Sequence, residues 1–421
     1  MELTRIEKQP LNITTFMILI IIFPLIDFLN GFFLSSYIPI PIGVIFRFVF
    51  FTFLFIMILV ETIPKTNLSL FTFLFLSGNV CIFLFQSLLL QNSFSWILSD
   101  LAIFIKYFLW VLIPYYIYQR KKFFQTLDYE KMFIVISVLF TTLLIIPYLL
   151  GVGYQTYENS DAGYKGFFFA NNDTSFAFIV SITFTAKALV QQIQRKWGAH
   201  LFFLLLLYTG NVLCFLLVST KTGIIYGACI TSIILFQLLF IVKYRSTCHK
   251  VFVWLTSLSF MGWIILRGVF YVKRMIAGTY ERIVYFYYLY DGDLVRLLSS
   301  SRSDFLEGGF IRFLESPYPT FTMLFGQGFE YRLQHFGRLG LIEMDFFDAF
   351  FGLGLLGILL LVLLVGYYAS LAMKKKSLSI YSYLLIVSLL YSFFAGHVLF
   401  SALSSTLLGL ICGGIILLKK E

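Results

Sequence analysis

Long apolar runs alternate with short polar connections from one end of the chain to the other, and the runs predict the architecture. A bilayer crossing needs about 20 consecutive, mostly apolar residues. Twelve stretches qualify: 13–33, 38–60, 68–90, 96–118, 132–150, 174–190, 201–218, 222–242, 251–272, 346–367, 378–394 and 398–418. Only Ala395-Gly396-His397 separates the last two, which reads as a tight turn or a helix break. The first run follows a polar stretch and has no small-residue cleavage site, so it reads as an uncleaved first helix. The expected fold is all-α and polytopic, with three parts: spans in 1–272, a large extracytoplasmic loop in 273–345, and the last spans in 346–421.

Composition agrees. Of 421 residues, 60% are hydrophobic and 12% charged, against roughly a quarter charged in soluble domains. A soluble fold of this composition could not hide its apolar surface. The net charge of +10 then reads as topology rather than nucleic-acid binding, because Lys and Arg collect in cytoplasmic connections. Eighteen basic residues fall in the first, third and later odd connections, termini included. The short alternate connections hold two, Lys165 and Lys221. Both termini are therefore expected in the cytoplasm. Five scattered cysteines form neither a disulfide framework nor a zinc motif.

One connection breaks the pattern. The loop 273–345 carries eight basic and nine acidic residues, 17 of the chain's 52 charges. Long loops without a function are uncommon, so chemistry is expected here, facing outward. Within it Leu306, Phe310, Phe313 and Leu314 recur at helical spacing, predicting an amphipathic helix at the membrane surface. Ser301 or Ser303 is expected to cap it and Ser316-Pro317-Tyr318-Pro319 to end it. The glycines of Phe325-Gly326-Gln327-Gly328 then permit a tight turn.

Four constellations carry candidate chemistry. Arg302 beside a helix N-terminus makes a phosphate site. Lys221, in Ser219-Thr220-Lys221-Thr222-Gly223, is a costly cation for an outer connection. Glu343, Asp345 and Asp348 crowd the re-entry of the loop into the membrane, where desolvation suits a carboxylate to general-base work. Asn171-Asn172-Asp173 opens a span and reads locally as a cap. Charges inside the spans, namely Asp27, Arg47, Glu61, Asp100, Lys106 and Arg267, would suit a transporter path, although most lie near span ends. Nucleotide-binding loops are absent, so an outward-facing enzyme would take its activated group from a lipid.

Together these motifs resemble the O-antigen polymerase and O-antigen ligase superfamily, the Wzy-type polymerases and their ligase relatives. Val218-Ser219-Thr220-Lys221-Thr222-Gly223 is similar to a helix-start motif of that family. Ser301-Arg302 followed by Phe325-Gly326-Gln327-Gly328 is similar to a second. Glu343-Met344-Asp345 through Gly354-Leu355-Leu356-Gly357 resembles its closing segment, and Asn171-Asn172 an asparagine of an earlier outer loop. The resemblance implies a C-type membrane glycosyltransferase acting on undecaprenyl-pyrophosphate-linked oligosaccharides, with neither nucleotide sugar, cofactor nor metal. It implies Arg302 and Lys221 on the pyrophosphate, Arg274 or Arg282 assisting, Glu343 and then Asp345 as base, and Asn172 orienting the substrate. Membrane lipid, and a chain-length regulator and flippase of the same pathway, are the implied partners, with no nucleic acid. Two positions depart from the family pattern. Lys221 replaces an arginine, and Glu343 stands where ligases carry histidine, which leans toward a polymerase of capsule, exopolysaccharide or O-antigen.

Overall fold

The computed structural model describes residues 11–418 apart from 39, 158–162, 196–197, 242–246, 248–249, 252, 256–258, 260–268 and 375–377, and it omits the side chains of 269–276. Among the described residues, nine helices are long and apolar enough to cross a membrane, and two shorter apolar helices follow. They are α1 (Leu11–Ser35), α2 (Ile42–Val60), α3 (Asn67–Leu89), α4 (Phe94–Gln119) and α5 (Tyr129–Leu149). After a small hairpin, β1 (Tyr154–Gln155) and β2 (Tyr164–Gly166), come α6 (Asn171–Arg195), α7 (Ala199–Val218) and α8 (Lys221–Phe236). The helices α9 (Val269–Leu289), α10 (Leu294–Ser299), α11 (Arg302–Leu314), α12 (Pro319–Phe325) and α13 (Phe329–Phe336) build the large connection. The chain closes with α14 (Asp345–Met373), α15 (Ile380–Phe394) and α16 (Ala402–Leu418). Eleven expected spans thus correspond to helices, and the expected span 251–272 falls largely outside the described residues. The chain is an all-α polytopic membrane protein. Helices dominate because lipid offers the backbone no hydrogen-bond partners.

The helix α16 is the axis of the bundle. From Leu403 to Ile416 its residues are all buried, and it packs chiefly against α4. Small residues allow the approach: a Cβ on Gly409 would lie 3.0 Å from the Ile113 side chain, and one on Gly414 would lie 2.3 Å from the Tyr381 ring. Close backbone packing through small residues is how membrane helices associate where no hydrophobic effect drives them. Lipid-facing positions are correspondingly apolar and open, as with Phe202 and Leu206 on α7.

Charges inside the spans are mostly consumed by the fold. Arg47 pairs with Asp27 and donates to the Gly43 carbonyl at 3.0 Å. Arg120 pairs with Glu61 at 3.2 Å and lies 4.0 Å above the Tyr116 ring. Asp100 of α4 accepts from the backbone N–H groups of Phe329 and Glu330, at 3.2 and 2.8 Å. It thereby caps α13 from across the bundle. Arg267 lies outside the described residues.

The large connection is not a loop with one helix. It is helical for most of its length, and α9 runs through the expected boundary at 272/273. The helix α11 appears as predicted and ends before Pro317, but its capping differs. Ser301 stands at its start with φ 65° and makes no side-chain cap, while Ser303 bonds to Ser299 at 3.2 Å. Phe313, Ile342 and Phe351 form a small separate core beneath α11. Arg332, fully buried, stacks 4.7 Å over Phe351, and burial pulls its pKa down to about 10.

A break in α14 locks this connection to the bundle. Gly354 adopts φ 69° and ψ −170° inside the helix, a conformation essentially restricted to glycine. The chain around Gly326 inserts there: Gln327 and Gly328 donate to the Phe351 and Gly352 carbonyls, each at 3.0 Å. A Cβ on Gly354 would lie 2.4 Å from the Leu324 carbonyl oxygen. Gly354→Ala is therefore expected to destabilise the protein by about 3 kcal/mol, read as a lower melting temperature in detergent. An unchanged melting temperature would show that this backbone relaxes freely.

Candidate functional site

All the connections expected on the outer side gather at one end of the bundle, the loop end. Three local devices bring their side chains together. Ser219 ends α7 in the left-handed conformation at φ 58°, and Thr220 caps α8 by accepting from the Gly223 N–H at 3.3 Å, so Lys221 begins a helix at the rim. Ser300 and Ser301, both with positive φ, turn the chain between α10 and α11 and set Arg302 at a helix start. Glu343 and His397 adopt φ 62° and 61° in facing turns, where a Cβ on Gly396 would lie 2.1 Å from the Glu343 carbonyl oxygen. That approach requires the glycine before His397.

The result is a cavity of about 510 Å³ whose lining includes Asn172, Lys221, Arg282, Arg302, Glu343 and His397, with Tyr157, Phe169, Phe286 and Tyr290 as aromatic walls. Arg302 pairs with Glu343 at 3.1 Å and donates to the Phe394 carbonyl at 3.1 Å. Its buried Nε has no partner among the described residues, so the guanidinium keeps donor capacity. His397 Nε2 lies 3.9 Å from Glu343 Oε2, an ion-pair distance rather than a hydrogen bond. Lys221 Nζ donates to the Leu297 carbonyl at 2.9 Å, leaving further donors. Arg282 lies 4.0 Å over the Tyr157 ring and 5.0 Å over Phe286. Asn172 donates to the Ala395 carbonyl at 3.3 Å.

Among the described residues, four cations thus face one carboxylate, which suits an anionic, phosphate-bearing ligand with one group left to accept a proton. The imidazolium of His397, helped by Arg302, holds the Glu343 carboxyl down at about 2 against the effect of burial. Burial works against the charged His397 ring, but Glu343 and the buried Asp173 and Asp345 outweigh it and hold its pKa near 9.

The stability consequence has a definite sign. Glu343 contributes above its ordinary value of 4.5 and loses that contribution as pH falls through about 2. His397 contributes fully below its ordinary 6.5 and loses it as pH rises through about 9. The melting temperatures of wild type and His397→Gln should therefore differ most between pH 4.5 and 6.5 and converge above pH 9. A gap that persists unchanged to pH 10 would contradict the pairing.

The structure brings Arg302, Lys221, Arg282, Asn172 and Glu343 into the lining of one cavity. The side chain of Arg274 lies outside the described residues. Asp345, expected as a second base, is only 2% exposed and is not among the residues lining the cavity. Its oxygens accept from Ser392 Oγ at 2.7 Å and from the backbone N–H groups of His397, Val398 and Leu399 at 2.8, 2.7 and 3.1 Å. It fixes the His397 turn instead. Asp348 likewise accepts from the Ile342 and Met344 backbone, at 2.8 and 3.1 Å. The Asn171-Asn172-Asp173 cluster is more than a cap, for Asp173 accepts from Ser401 and from Ser404 at 3.0 Å.

Sequence reasoning missed His397, Tyr157, Phe286 and Tyr290 as site residues. The available signal for His397 was its place in a short break on the same expected side as the large loop. It also supplies an imidazole beside Glu343, so the lack of histidine at position 343 no longer separates polymerase from ligase.

A family model described as O-antigen ligase like membrane protein matches residues 12–292, about two thirds of the chain. The match includes Asn172, Lys221 and Arg282 and ends before Arg302. No curated protein matches the chain.

Proposed function

The chain belongs to the O-antigen ligase like membrane protein family, which makes it a membrane enzyme handling glycans of the O-antigen and ligase type, and on that premise we propose that it polymerises lipid-linked oligosaccharides. The loop end would face away from the cytoplasm of a bacterium, where both termini would lie. A glycan chain on undecaprenyl pyrophosphate is the donor, and a hydroxyl of the next lipid-linked repeat unit is the acceptor. The observation that carries the reading is the cavity that brings Arg302, Lys221, Arg282 and His397 together with the Glu343 carboxylate.

In the reaction the acceptor oxygen attacks the anomeric carbon. The bond from that carbon to the pyrophosphate oxygen breaks, and the electron pair leaves on the phosphate. Glu343 receives the hydroxyl proton. The cations stabilise the charge that develops on the leaving group, while Asn172 orients sugar or phosphate. A single displacement of this kind inverts the anomeric centre. A carboxylate held at about 2 is a weak base, and the substrate itself changes that: a pyrophosphate binding His397 and Arg302 takes up the charge of both and loosens their hold on Glu343. Substrate binding thereby raises the basicity of the group that must act next.

A second reading, a ligase transferring finished glycan to another acceptor, is favoured by the histidine beside Glu343. The two differ in the acceptor, and glycan ladders from cells carrying Glu343→Gln separate them. Single units where wild type makes a ladder support polymerisation. Full-length chains that fail to reach their final acceptor support ligation. Loss of all outward units would make the protein a flippase and sink both. Chain-length regulators and flippases of the pathway are the expected functional neighbours.

A further inference from the structure

A second cavity of about 590 Å³ lies beside the first at the loop end, and Phe169 lines both. It sits between the end of α1 and the β1–β2 hairpin, with Tyr37, Tyr154, Phe167 and Lys165 on its walls. Its floor is backbone: a Cβ on Gly31 would lie 1.7 Å from the Phe167 carbonyl oxygen, so α1 and the segment after β2 meet there without intervening side chains. Tyr154 braces the wall by donating to the Ser35 carbonyl at 3.2 Å.

The two cavities differ in chemistry. The first has four cations and a carboxylate. Among the described residues, the second has one lysine, no carboxylate, and rings presented to the opening: Tyr37 is 96% exposed and Phe169 69%. Tyr37 holds φ 56°, so an uncommon backbone conformation sets its ring outside the bundle at this rim. Exposed aromatic faces beside hydroxyl and carbonyl groups suit a ligand that is polar at its edges and apolar on its faces, which describes a sugar ring rather than a phosphate.

We infer that this second cavity is an oligosaccharide subsite, holding sugar residues adjacent to the one that reacts. The inference rests on the proposed polymerase reading and deepens it: a glycan entering from the second cavity passes Phe169 and reaches the Arg302–Glu343 pair. The oligosaccharide is either the growing chain or the incoming repeat unit.

Tyr37 touches no group placed in the reaction, which makes it the test position. With purified protein, Tyr37→Trp puts a fluorescent ring at the rim, titrated with fragments of the cell's own polysaccharide one to four repeat units long. A saturable change in emission, absent from wild type, is expected. Equal affinity for all lengths assigns the incoming unit, and tighter binding of longer fragments assigns the growing chain. In cells, Tyr37→Ala should weaken glycan retention about three- to tenfold, the size of one lost ring contact, and shorten the ladder. Tyr37→Trp should restore its length. The inference is overturned if emission does not respond and Tyr37→Ala ladders match wild type while Arg302→Ala still abolishes them. It is overturned equally if Tyr37→Ala only lowers the amount of protein in the membrane, since the ring would then be an interfacial anchor. If Arg302→Ala also leaves the ladder intact, the polymerase reading fails, and the subsite with it.

Discussion

Replacing Arg302 with alanine is expected to cut joining about a hundredfold or more, leaving single units in place of a ladder. The side chain is 12% exposed, so its charge acts in a medium far less screening than water. It is positioned before substrate arrives, by Glu343 on one side and the Phe394 carbonyl on the other. Removing one such preorganised donor from an enzyme typically costs 10²–10³ in rate. Arg302→Lys keeps the charge and loses the planar fork that matches phosphate oxygens, so it should recover part of the rate and stay about tenfold below wild type. Melting temperature in detergent separates this loss from unfolding. A folded Arg302→Ala protein that still builds full ladders would remove the cation from the mechanism.

Glu343→Gln is the second large effect, expected at about 10²–10⁴ in rate, the range of a general base. Glutamine keeps the shape and can still accept from Arg302, but it cannot take a proton. If Glu343 served only to hold Arg302, this variant would retain most of its activity. The substitution also removes one of the three carboxylates that raise His397, so the imidazole should titrate below about 9, with Asp173 and Asp345 still raising it. Rate loss together with this downward shift identifies the carboxylate as both base and partner.

These residues show what the sequence could and could not reveal. Apolar runs have one physical meaning in a membrane protein, and eleven of them correspond to helices near their expected positions. The break at Gly354 was hidden because glycine is frequent in membrane helices and does not by itself mark a break. Only the segment around Gly326 packed into it shows why glycine stands there. Arg302, Lys221 and Glu343 were legible because charges at the ends of apolar runs are costly and few. Glu343, Asp345 and Asp348 were not separable, since all three occupy one short polar stretch. Geometry divides them: Glu343, in a left-handed turn, faces the cavity, while the other two sit in the first turn of α14 and accept from backbone N–H groups. His397 was missed as a site residue because its contact with Glu343 spans a helical hairpin that no spacing rule connects.

The most direct test joins purified protein to a lipid-pyrophosphate-linked repeat unit as sole substrate, with products resolved by length. The account predicts lipid-linked oligomers and one released lipid pyrophosphate per bond from wild type, and neither from Arg302→Ala or Glu343→Gln. Oligomers formed equally fast by both variants would contradict it, as would a wild-type protein that leaves the units single and transfers them only to a different acceptor.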